Sequence, residues 1–137
     1  MSYGEHRVLV MGAAGLDMKV QPRTEVIESA RSNPARIWRG WGGVARNIAE
    51  NLVRLGADVQ LITAVGDDNW GAELIQHLND LNIETEAVVV SPDKSTSSYV
   101  AVHHADKKLW VAFDDMQVIQ EVTPAHLERW RYLFHDA

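Results

Sequence analysis

The first apolar run, Val8 to Gly12, places four apolar residues in a row before a glycine, the pattern of a strand covered on both faces. Beyond it, LDMKVQPR alternates apolar and polar positions up to Pro22, which predicts more strand and a bend. A polar stretch, TEVIESARSNP, separates this segment from Arg36-Ile37-Trp38-Arg39, and the two predict an antiparallel pair joined by a loop ending near Pro34. At GGVARNIAENLVRLGA the period changes. Val44, Ile48, Leu52 and Leu55 recur at spacings of four, four and three, which puts them on one face of a helix from Gly43 to Gly56, a residue suited to a left-handed cap.

DVQLITAVG reads as the next strand, Leu74, Ile75, Leu78 and Leu81 mark a second helix face, and Ile83 to Val90 begins another strand. Strand, helix, strand, helix, strand is the order of a parallel α/β sheet flanked by helices. After Pro92 the pattern alternates again over 98–104 and 109–113, joined by Ala105-Asp106-Lys107-Lys108, which predicts a β-hairpin. Thr123 then caps a last helix with Pro124 at its first position and Leu127, Trp130, Leu133 and Phe134 on its apolar side. A helix in this grammar delivers the chain to another parallel strand, so the expectation is of a sheet still incomplete at Ala137.

Composition narrows the function classes. The chain has 137 residues, 46% of them hydrophobic, enough for a single globular core. A formal net charge of −6, with Lys and Arg scattered, lacks the basic footprint of a nucleic-acid polymer binder and points to small-molecule partners. The absence of cysteine fits a reducing compartment, with the cytoplasm as the expected location. No apolar run is long enough for a membrane span, and MSYGEHRV has no leader-like apolar region before the first strand.

Two segments carry candidate chemistry. GAAG, residues 12 to 15, invites a dinucleotide reading and hence an oxidoreductase, but the GxGxxG spacing is missing and no helix follows to hold a pyrophosphate. Gly42-Gly43 before a helix lets backbone approach a ligand and leaves N–H groups free, and Asn47 in the first turns offers both a donor and an acceptor to hydroxyls. Asp67 and Asp68 suggest magnesium, although acidic residues at a strand end more simply cap the next helix. His103 and His104, consecutive in a strand, point to opposite faces and are assigned no metal. Glu50, Arg54, Glu73 and Asp80 read as solvated helix-surface charges.

Residues 42 to 71, GGVARNIAENLVRLGADVQLITAVGDDNWG, resemble the N-terminal signature of the ribokinase-like (PfkB) carbohydrate kinases through Gly42, Gly43, Ala45, Asn47, Ala49, Gly56 and Gly66. Within that family GGVARNIAENL is most similar to the pseudouridine kinases, which phosphorylate the 5′-hydroxyl of a C-nucleoside with ATP. The resemblance implies a ribokinase-like parallel sheet with a small β-sheet lid built from about 18–40 and 97–113. It implies substrate binding by Asp17, Gly42, Gly43 and Asn47, with Gly15 standing where the family's pattern has Asn. It implies ATP and Mg2+ in the full-length enzyme, leaves the use of a monovalent cation open, and implies a homodimer through the lid, with Ile37, Trp38, Trp41, Tyr99 and Trp110 facing an interface or the substrate. The family's GAGD-type motif, which carries the catalytic aspartate, does not occur in these 137 residues, so the chain is expected to carry the sugar-binding half and to be inactive alone. The competing expectation is a free-standing, non-catalytic sugar- or nucleoside-binding module.

Overall fold

A computed structural model describes residues 7 to 134; the opening MSYGEH, read above as free of a leader, and the last three residues lie outside it. The elements are β1 (Val8–Met11), β2 (Gly15–Pro22), β3 (Ala35–Gly42), α1 (Val44–Arg54), β4 (Val59–Gly66), α2 (Asn69–Asp80), β5 (Ile83–Glu84), β6 (Val88–Ser91), β7 (Ser98–His103), β8 (Leu109–Asp115) and α3 (Pro124–Arg129). Short 3-10 turns at Gln117–Glu121 and Arg131–Phe134, which the apolar pattern did not predict, flank α3.

Two sheets organise them. The first is parallel: β4 pairs with β1 on one side and with β5 and β6 on the other. All eight residues of β4 are buried, because its two faces meet two separate apolar layers. Leu61 and Val65 pack with Ala45 and Ala49 of α1 and Leu74 and Leu78 of α2, whereas Ile62 packs with Ala87, Trp130 and Leu133. The single strand expected from Ile83 to Val90 is divided into β5 and β6, which pair with successive parts of β4. β1 departs from its expected burial: only Val10 is buried, and Val8 and Met11 are exposed.

The second sheet is mixed, in the order β3-β2-β7-β8. It contains the predicted antiparallel pair, with Gly15 opposite Gly42, and the predicted hairpin. β2 runs parallel to β7, which joins the two halves. Register separates its faces. Met18, Val20, Ile37, Val100, Val102, Val111 and Phe113 share one side, whereas Asp17, Lys19, Trp38 and Tyr99 share the other.

Helix α1 corrects the predicted face. Val44 and Leu55 are 74% and 84% exposed and Ile48 is also exposed, while Ala45, Arg46 and Ala49 are buried. The helix approaches the first turn so closely that a Cβ on Gly12 would stand 3.1 Å from that of Ala45. Only small side chains fit such an approach, so the alanines take the inner position. The helix also begins at Val44 and ends at Arg54, with Gly43 as N-cap and Gly56 beyond its end at φ 89°. In the C-terminal helical segment Trp130 and Leu133 are buried as predicted and Leu127 packs partly, but Phe134 is exposed. Among the described residues no helix is long and apolar enough to cross a membrane.

Candidate functional site

The strand β2 follows Ala13-Ala14 directly, so no helix opens behind Gly12 and the dinucleotide geometry is not formed. The turn instead delivers Asp17, opposite Gly40 on β3 and beside Tyr99 on β7. The Asp17 carboxylate lies over Gly42, where a Cβ would collide with its carboxyl atoms. Burial raises its pKa above the usual aspartate value, and Lys19 and Arg46 partly oppose that rise by their charge.

Asp17 lines a cavity of about 580 Å³ with Lys19 and Gln21 of β2, Trp38, Arg39, Gly40 and Trp41 of β3, and His103 and Lys107 of the hairpin. That volume falls within the usual range for small-molecule sites. This lining can serve a polyhydroxylated ligand: it offers a carboxylate to accept from hydroxyls, cationic and amide donors for ligand oxygens, and indole surface for C–H or ring faces. Trp41 is wedged against Trp70 at 6.4 Å and His77 at 5.9 Å between ring centroids, so it belongs to the cavity wall. Of the other residues singled out above, Trp38 shares the Asp17 side, Ile37 lies on the opposite side, and Trp110 lies against His104 at 5.8 Å between ring centroids.

The signature residues play different parts. Gly43 has φ 95°, and any Cβ there would strike the Ala13 carbonyl, so the glycine permits the β3–α1 junction to close on the first turn. Asn47 is exposed and does not line the cavity. Its amide oxygen accepts from Arg46 Nη1 at 2.8 Å. Gly15 is buried, and a side chain there would run into Ser97, so the backbone excludes the Asn of the family pattern.

Arg46 and His77 were missed by the sequence reading. Arg46 joins Trp41, Asn47, Glu50 and His77, which makes Glu50 a partly buried ion-pair partner and not the solvated charge expected. The sequence did hold one signal, the Arg46-Glu50-Arg54 spacing of four, but not the packing of α2 that buries it.

Asp68 has the capping role. It accepts from Gly71 N–H at 2.8 Å, Thr96 N–H at 2.8 Å and the Thr96 hydroxyl at 2.7 Å. Burial alone would raise its pKa, but these hydrogen bonds outweigh burial and hold it below the usual range. Among the described residues no group of three or more His, Asp or Glu is placed to hold a metal ion.

Sequence and structure comparisons agree with this architecture. The pfkB family carbohydrate kinase profile matches residues 5–136. The chain belongs to that family. Over 129 residues it is 33% identical to the uncharacterized sugar kinase YeiI of Escherichia coli K12, covering 94% of this chain and 35% of the relative. Over 120 residues it is 33% identical to the pseudouridine kinase of the same organism, covering 88% of this chain and 38% of the relative. A carbohydrate kinase structure from Agrobacterium tumefaciens superposes with a TM-score of 0.79 at 31% identity, covering 90% of this chain and 39% of that one. The chain thus spans little more than a third of the length of the curated relatives it matches.

Proposed function

We propose that this chain forms the acceptor-binding part of a kinase that phosphorylates a hydroxyl of a sugar or nucleoside, with the 5′-hydroxyl of a pseudouridine-like nucleoside as the favoured acceptor. The observation that carries the reading is the Asp17 carboxylate, seated on Gly42 at the wall of a cavity lined by Lys19, Arg39, Trp38 and Trp41. Asp17 accepts hydrogen bonds from hydroxyls of the acceptor and so orients it, while Lys19 and Arg39 donate to its oxygens. The family membership and the similarity to a pseudouridine kinase favour the nucleoside.

ATP with Mg2+ supplies the phosphoryl group in such an enzyme, and no residue described here is assigned to hold either. The β3-β2-β7-β8 sheet acts as a lid that keeps water from the acceptor. Its apolar side, which includes the exposed Ile37 and Phe113, joins two copies of the chain. The working compartment is the cytoplasm.

Calorimetric titration of the 137-residue chain with pseudouridine and with D-ribose tests the acceptor site. The expected result is saturable binding that disappears in Asp17→Ala; equal heats for the two proteins would overturn the reading.

A further inference from the structure

Among the described residues Arg46 is the one charged side chain that is buried, at 7% exposure. A guanidinium carries five donors and no acceptor, so taking it out of water needs partners that accept. Arg46 finds four. Nη1 donates to the Trp41 carbonyl at 3.2 Å and to Asn47 Oδ1 at 2.8 Å, and Nη2 donates to Glu50 and meets His77 Nε2 at 2.9 Å. Burial and the Arg46 charge lower the pKa of His77, which keeps that nitrogen a neutral acceptor. Glu50 is held in turn by Arg54 Nε at 3.0 Å.

The consequence falls on Asn47. An amide can ordinarily turn over and exchange its donor and acceptor ends. Next to Arg46 it cannot, because a guanidinium has nothing to offer the NH2 group. Oδ1 is therefore fixed toward Arg46, and the two N–H bonds face outward on an exposed residue. Asn47 thus presents donors only, outside the cavity whose wall carries the acceptor Asp17.

We propose that Arg46 is a positioning residue of the acceptor site: it fixes Asn47 as a pure donor and ties it, through the Trp41 carbonyl and His77, to the cavity wall. The binding part of this proposal rests on the acceptor-site reading above; the orientation of Asn47 does not.

The test has two readouts on the full 137-residue chain. Nuclear magnetic resonance of the ligand-free protein reads the order of the Asn47 side-chain amide. In the wild type it should be as rigid as the backbone. In Arg46→Met it should become mobile, and Arg46→Lys, which keeps the charge without the planar fork, should restore only part of the order in a chain with native dispersion. An Asn47 amide equally ordered in all three would overturn the proposal whatever binds. Calorimetry with pseudouridine then reads coupling. Arg46→Met and Asn47→Ala should each weaken binding about tenfold, and the double variant should weaken it no further. Losses that multiply would overturn the positioning role. Absence of binding by the wild type would count against the acceptor reading alone, with the resonance measurement still deciding the proposal.

Discussion

Gly42 stands where any side chain would occupy the space of the Asp17 carboxylate. The pair belongs to adjacent strands, so the glycine sets the position of the acid. Gly42→Ala should cost about 1–3 kcal/mol, the usual penalty for overpacking, and should lose ligand binding with it. Two positions earlier, Gly40 has nothing within 4 Å of its missing Cβ, so Gly40→Ala should stay within about 0.5 kcal/mol of the wild type. Urea denaturation of both variants makes the comparison.

Asp17 should show opposite effects on stability and on binding. Its raised pKa means that the ionised form is less comfortable in the folded chain than in the unfolded one, so it lowers stability at pH above that value. Asp17→Asn should therefore raise Tm at pH 7 while abolishing pseudouridine binding. In the wild type, binding should fade on acidification at a pH above the ordinary aspartate range. A scan of Tm and of binding heats against pH checks both signs.

Asp68 has the reverse sign. Its folded pKa is depressed, so its stabilisation is complete above the unfolded value of 3.8 and is lost as pH falls through the folded pKa. Asp68→Ala removes the α2 cap and the two Thr96 bonds and should cost about 2–3 kcal/mol at pH 7. The gap between wild type and variant should close as pH falls below 3.8 and through the depressed folded value, as measured by denaturation at each pH.

The apolar side of the second sheet should govern assembly. Phe113→Glu places a charge opposite Val100, in the middle of that side, and should leave the chain monomeric. Sedimentation velocity should show dimers for the wild type and none for the variant at equal concentration.

Much of this was readable from periodicity. Period-two alternation located β2, β3 and the β7–β8 hairpin, and period 3.6 located α1 and α2. The inner face of α1 was misread because periodicity weighs large apolar residues, whereas the tight approach at Gly12 admits Ala45 and Ala49. Asp17, Gly42 and Gly43 were singled out by the resemblance to the kinase signature, although Asp17 and Gly42 come together only through the pairing of β2 with β3. Arg46 was not, because its burial depends on His77, 31 residues away on another helix. The interruption between β5 and β6 falls at Thr85-Glu86-Ala87, and the two segments are told apart by their pairing with successive parts of β4.

The second sheet begins at the Gly15–Gly42 pair, two positions without side chains facing each other across β2 and β3, with Ser98 of β7 opposite Leu16. Any rotation of that sheet as a unit would turn about this end. Asp17 lies two residues from the axis, and Lys107 lies at the far end of the hairpin. Such a motion would leave the carboxylate nearly still while it swept the opposite rim of the cavity through a long arc. A fluorophore at the hairpin tip would therefore report such a rotation that a probe beside Asp17 would miss.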